Sequence, residues 1–178
     1  MVFRLYVSDI INTIFVLLKK FQGDFSVKNY WLIKSEPHAY SFEDLQNEPN
    51  QIAEWDGVRN YQARNNMQKM KLGDDLFFYY SNSKPRVIVG VVTVVTEAYP
   101  DFTAWDQNDI HFDPKSTPDN PRWYMVDIQV KEKFSTPILV DDLKSIPELQ
   151  NMVLFKNQRL SVQPITKEEW NVILSSKP

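Results

Sequence analysis

The run Val87-Ile88-Val89-Gly90-Val91-Val92-Thr93-Val94-Val95-Thr96 presents apolar side chains on both alternations of an extended chain. Successive strand residues face opposite ways, so such a strand is stable only where both of its faces are covered. Leu76-Phe77-Phe78-Tyr79-Tyr80 has the same character, and together the two segments demand central strands with packing on either side. Gly90 interrupts the longer run, and a missing side chain inside a strand marks a bulge or a close neighbour. Tyr30 to Ser35 is a further strand, ended by Glu36-Pro37 because proline lacks the N–H that would extend a ladder. Ile52 to Trp55 is a short one, followed by the turn signal Asp56-Gly57. Tyr124, Val126, Ile128 and Val130 alternate with Met125, Asp127, Gln129 and Lys131, which predicts a half-exposed strand.

The helices are marked by caps. Ser41 precedes Phe42-Glu43-Asp44, a serine cap with an acidic first turn, and the helix ends near Asn47 before Pro49. Another starts near Asn60, buries Ala63, Met67 and Met70 as one stripe, and stops at Gly73, a left-handed cap. Val140 to Ile146 predicts a short helix. Thr166-Lys167-Glu168-Glu169 is a capping box whose helix turns Trp170, Ile173 and Leu174 inward. Strands mixed with scattered helices, without alternating crossover units, give an α+β fold with a small, strongly curved sheet.

The length of 178 residues leaves room for one domain, and 30–178 carries neither repeat nor low-complexity tract. Residues 1–29 read as an N-terminal extension. Their apolar residues, Ile10 to Leu18, are broken by Asn12 and Thr13 and fall short of the roughly 20 that span a bilayer. No small-residue cleavage site follows, so no export is expected. The extension is either an amphipathic arm or the product of a start assigned too far upstream, with Val27 as the true beginning; the second is the expectation, and with it a bacterial cytoplasmic home, or a nuclear one in a eukaryote.

A net charge of -3 gives no overall attraction to polyanions, so any nucleic-acid contact must be local. The absence of cysteine removes thiolate catalysis and sulfur-ligated metals. Four glycines, scattered singly, build no phosphate cradle, and no cofactor is implied. His38, near Ser41, could serve a serine nucleophile, but no nucleophile elbow is present. Asp101, Asp106, Asp109 and Asp113 form an acidic stretch without the spacing of a calcium loop. These two features support the rival function, a small hydrolase or nucleotide-processing enzyme. A third reading is an interaction protein docking through residues 1–29.

Several segments carry a family resemblance. Trp31-Leu32-Ile33-Lys34-Ser35-Glu36-Pro37 is followed by Trp55-Asp56-Gly57-Val58-Arg59-Asn60-Tyr61-Gln62-Ala63-Arg64-Asn65, then Phe77-Phe78-Tyr79-Tyr80-Ser81-Asn82 and Glu97-Ala98-Tyr99-Pro100-Asp101. Pro121-Arg122-Trp123-Tyr124-Met125-Val126-Asp127, Asn151 to Phe155 and Arg159 to Pro164 complete the order. From Tyr30 nearly to its end the chain resembles the EVE domain, and residues 1–29 fall outside that likeness.

The resemblance implies a PUA-like fold, a curved mixed sheet or pseudo-barrel ringed by short helices, and a non-enzymatic pocket for a modified nucleobase in DNA or RNA. It also implies a protein partner in a larger modification-dependent system. Such a reader needs a ring for stacking, polar groups for the base edge and cations for phosphate. Trp55 is the expected wall, against its bland reading as core. Ser35 and Asn60 are expected at the edge, although Asn60 equally suits a helix cap, and Arg59 and Arg64 are expected at phosphate. Lys34, Val58, Tyr80, Ser81 and Asn82 complete the expected site from the shared motifs, Ser81-Asn82 being also an ordinary turn. Tyr99 either lines the opposite wall or ends its strand.

Overall fold

The strands demanded by the two apolar runs lie side by side in the middle of a six-stranded sheet. The computed structural model describes residues 28–177. Its strands are β1 (Tyr30–Ser35), β2 (Ile52–Trp55), β3 (Asp75–Tyr80), β4 (Val87–Pro100), β5 (Tyr124–Leu139) and β6 (Val162–Ile165), in the order β2-β5-β4-β3-β1-β6. β1 runs parallel to β3, and the other neighbours are antiparallel. Register shifts recur along β4 and β5, at Ile88/Gly90, Val91/Val92, Val94/Thr96 and Thr96/Tyr99. Each bulge adds local twist, and in sequence they bend the long pair around the core. The result is the α+β class with a curved, mixed sheet, and the sheet is open, with β2 and β6 at its two edges.

Two apolar layers cover it. On one face α1 (Phe42–Asn47) and α2 (Tyr61–Met67) pack against Trp31, Ile33, Leu76 and Phe78. On the other, α3 (Val140–Leu143), α4 (Val153–Lys156) and α5 (Lys167–Ser175) lie with Leu32, Phe77, Tyr79 and Val91. All six residues of β3 are buried. The ring of Trp170 from α5 stacks on Phe77 at 3.9 Å and on Tyr30 at 4.6 Å, so one side chain fastens the last helix to the sheet.

Local signals act as the sequence indicates. Ser41 and Thr166 form capping boxes, and Asn60 caps α2. Gly90 is both bulge and close neighbour: a Cβ there would lie 2.4 Å from the Glu132 carbonyl oxygen and 2.8 Å from the Phe42 ring. Four expectations need correction. α2 ends at Met67, where the N–H groups of Lys69 and Met70 turn to the carbonyls three residues back, so Met70 is buried beyond the helix and Gly73, left-handed (φ 86), shapes the turn into β3 and is not a helix cap. The helix of Val140 to Ile146 ends at Leu143, because Ile146 precedes Pro147 and is held extended (φ -82, ψ 117). β4 continues past Thr96 to Pro100. Met125, assigned to the exposed alternation of β5, is fully buried where the curved pair closes over it.

The extension 1–29 falls almost wholly outside the described residues. Its last two members belong to the fold, as the Asn29 N–H donates to Asp74 at 2.9 Å and Lys28 pairs with Asp75 at 2.6 Å. Among the described residues no helix is long and apolar enough to cross a membrane.

Candidate functional site

The connection from β1 to β3 carries more than a crossover requires. With the β4–β5 loop and one residue of β5 it encloses a cleft of about 810 Å³, within the range of about 300–1,000 Å³ usual for small-ligand sites. Ser35 at the end of β1, Tyr40 before α1, Glu54 to Asp56 of β2 and its turn, Ile110 and His111 of the loop, and Asp127 of β5 face it.

Trp55 supplies a flat wall. It is half-buried, and its orientation is held by edge contacts with Phe78 (centroids 5.5 Å apart, 77°) and Tyr40 (6.3 Å, 71°). Tyr40 brings a hydroxyl that is buried without a hydrogen-bond partner. Burial, followed by the charges of Glu48, Asp44 and Asp56, pushes that phenol up to about 12, so it stays protonated at neutral pH. Ser35 donates its hydroxyl to the Tyr40 carbonyl at 2.6 Å and leaves its oxygen lone pairs free to accept.

Acceptors dominate the polar lining. Glu54 and Asp127 are direct cross-strand partners, an arrangement of like charges that costs stability. The Glu54 carboxyl is raised by burial and by Asp127, Asp56 and Asp101. Asp56 is raised by burial and then by Asp101, against the opposing pull of His111. Tyr99 donates its hydroxyl to Asp127 at 2.6 Å, and burial with that bond raises the phenol. Such a wall suits a flat ligand that offers N–H donors. The His111 ring rests on Gly57 (φ 69), where any Cβ would come within 2.6 Å of it, so glycine at that turn is what lets the loop close against β2.

Of the expected site residues, Ser35 and Trp55 meet in the cleft, with Tyr99 behind Asp127. Val58 is buried beneath the next turn. Arg59 is held internally: it donates to Asp101 at 2.6 Å, to the Thr103 hydroxyl at 3.1 Å and to the His111 carbonyl at 2.7 Å. Asn60 accepts from the Ala63 N–H at 3.0 Å, as a cap. Arg64 lies beyond it, bonded to the Asn65 side chain and the Arg122 carbonyl. Lys34 alternates with Ser35 and joins the opposite sheet face, where it donates to the Gln158 carbonyl at 2.7 Å and lies over Tyr79. Burial and then Arg86 bring its ammonium down to about 8. Tyr80 is buried, its hydroxyl accepting from the Phe42 N–H. Ser81 donates its N–H to the Ser35 carbonyl, and Asn82 lies on a separate shallow cleft with Arg86 and Asp141.

Beside the cleft runs an aromatic and cationic ridge. Tyr61 stacks on Trp123 at 4.9 Å, Arg64 lies over Tyr61 at 4.8 Å, and Arg59 lies over Trp123 at 5.6 Å. Arg122 adds a third guanidinium, donating to Tyr61 and Asp113.

The features behind the hydrolase reading are placed apart. His38 is exposed, 3.1 Å from Glu36. Asp101 is fully buried, and although burial would raise it, Thr103, Arg59 and the Gly57 N–H hold it below the usual carboxylate range. Asp106, Asp109 and Asp113 accept loop N–H groups from Asn108, His111 and Lys115. Among the described residues no three such side chains converge to hold a metal.

The sequence reading missed Tyr40, Glu54, Asp56, Ile110, His111 and Asp127 as cleft residues. Only the β2–β5 pairing and the return of the long loop bring them together. The available signal was the turn at Asp56-Gly57, which places a carboxylate next to Trp55.

Comparison with known proteins agrees with this architecture. Thymocyte nuclear protein 1 from Rattus norvegicus is 48% identical over 167 residues, 84% of this chain and 74% of that protein. A hypothetical protein from Leishmania major superposes with a TM-score of 0.79 at 47% identity, over 83% of this chain and 93% of the other. Human THYN1, solved in complex with 5-methylcytosine-containing DNA, superposes with a TM-score of 0.80 at 46% identity, over 83% and 96% of the two chains. The EVE domain profile matches residues 29–176, and the chain therefore belongs to the EVE domain family.

Proposed function

We propose that this protein is a non-catalytic reader of modified bases, taking 5-methylcytosine in DNA into the cleft beside Trp55. The observation that carries the reading is the cleft itself: a fixed indole wall facing a lining of carboxylates, in a chain 46% identical to the human THYN1 protein that was solved with 5-methylcytosine-containing DNA. A cytosine offers its N4 amino group as a donor, and aspartate or glutamate is the matching acceptor. Asp56, Glu54 and Asp127 are the groups that would accept it, and the ring would stack on Trp55. Stacking supplies about 1–3 kcal/mol per base, and extrusion from a duplex costs a few kcal/mol. The remainder comes from the edge and from phosphate contacts on the arginine ridge, so a lone base binds weakly. A reader that breaks no bond acts through a partner that does, and a protein partner belongs to the proposal. So does a location with the nucleic acid, the cytoplasm of a bacterium or the nucleus of a eukaryote.

The test is binding across DNA and RNA oligonucleotides that differ in one modification, with product formation followed in parallel. Trp55→Ala should lower affinity for the 5-methylcytosine oligonucleotide roughly 5-fold to 100-fold, the loss of one stacked base. Trp55→Phe should recover part of the loss. Equal affinity for modified and unmodified DNA, or conversion of the oligonucleotide in proportion to added protein, would sink the reading.

A further inference from the structure

We propose that Ile110 is the wedge that enters the base stack as the modified base leaves it. The inference rests on the reader function above and adds how a paired base is released. Ile110 is 92% exposed, yet it stands on the rim of the cleft. Its place on the rim is what sets it apart, because an apolar side chain there can be buried by whatever enters the cleft.

The loop holds it there firmly. The Phe112 N–H donates to the Asp109 carbonyl at 3.2 Å, closing a turn with Ile110 and His111 at its corners. The Asp109 side chain accepts the His111 N–H at 2.7 Å, and the Asp113 N–H donates to the Ala104 carbonyl at 2.8 Å. His111 is tied to the ridge by its carbonyl, which accepts from Arg59 at 2.7 Å, while its ring seats on Gly57. One corner of the turn is thus anchored in the cleft wall, and the other presents Ile110, exposed, at the rim. A β-branched side chain has few rotamers to lose on insertion.

The chemistry matches a gap in a duplex. Apolar side chains, isoleucine among them, enter base steps and hold them unstacked, and the step a departing base leaves is open to the same insertion. A wedge matters only where there is a stack to hold open. It adds to the binding of a paired base something beyond whatever contact the residue makes with the same base in a flexible single strand.

The experiment compares the full chain with Ile110→Ala, an exposed change that leaves the packed core alone. The probes are a duplex with one central 5-methylcytosine and the single strand carrying it. We expect the loss on the duplex to exceed the loss on the single strand by about tenfold. A 2-aminopurine beside the modified base should brighten when the parent protein binds the duplex, and brighten much less with saturating Ile110→Ala. Ile110→Leu should retain most of the effect. Equal losses on both probes would make Ile110 an ordinary pocket wall and overturn the wedge. Unchanged duplex binding would overturn it too, leaving the residue as a contact for a protein partner. If the parent binds neither probe better than its unmodified counterpart, the reader function itself fails, a result distinct from either.

Discussion

At the scale of single residues the cleft is marked by carboxylates in uncomfortable places. Asp101 shows the ordinary solution: a buried carboxylate surrounded by Arg59, Thr103 and the Gly57 N–H. Asp56, next to the Gly57 whose N–H reaches Asp101, receives no such set, and burial and Asp101 raise its carboxyl. A carboxyl whose folded pKa is raised gives stability that is present below the unfolded value and lost as pH rises through the folded one. At neutral pH the ionised group therefore weakens the fold. Asp56→Asn should raise the thermal midpoint at about pH 7, and the gain should fade as pH falls to about 4, near the ordinary aspartate value. Thermal scans across that range decide it, and a midpoint unchanged at neutral pH would show that the charge is relieved in solution. A group held at a cost to stability is what a binding site looks like before its ligand arrives.

Elements position these residues from behind. α1 is short, yet Phe42 seats its ring where Gly90 leaves room, and the segments on either side of the helix, Ala39-Tyr40 and Glu48 to Asn50, line the cleft. Gly90→Ala places a methyl against the Glu132 carbonyl oxygen, a backbone atom that cannot swing aside. The substitution should cost about 2 kcal/mol by overpacking, read as a lower urea midpoint, and should weaken ligand binding by displacing α1. Full stability in that variant would mean the β4–β5 bulge absorbs the methyl. This coupling explains which parts were legible beforehand. Ser41, Thr166 and Asn60 act within a turn of their own positions, so the helix starts stand in the sequence, whereas α2 stops at Met67, well before the Gly73 that signalled its end. The double-sided apolar runs announced the central strands for the same reason. Asp127 and Glu54 become neighbours only through the register of two strands far apart in the chain, and no local pattern records it. Arg59 and Lys34 show the same limit. The motifs suggested phosphate for Arg59 and a place in the site for Lys34, while their partners, Asp101 and the Gln158 carbonyl, are set by tertiary structure.

For the whole molecule the charge of -3 makes the placement of cations decisive. On the ridge Arg59 and Arg122 have carboxylate partners in Asp101 and Asp113, whereas Arg64 is bonded to neutral oxygens. Arg64→Ala should therefore lower the slope of log affinity against log salt by about 0.9 on duplex DNA, the loss of one phosphate contact. Titrations at several salt concentrations measure it, and an unaltered slope would remove Arg64 from the phosphate track. Arg59→Ala is a poor probe of the same point, since it strands the buried Asp101 charge and weakens the fold.

The placement of β1 between β3 and β6 has a further consequence, for the time at which recognition appears. Tyr30 finds one partner at Asp75 and the other only at Ile165, so β1 gains its second neighbour near the end of the described chain. Contacts of such separation close slowly, after local turns and hairpins have formed. A nascent chain that has emerged as far as Trp55 holds one wall of the cleft, while Ile110, His111 and Asp127 have yet to be made. The cleft is complete only when residues from both halves of the fold have met. Half-made or partly unfolded copies therefore lack the complete cleft.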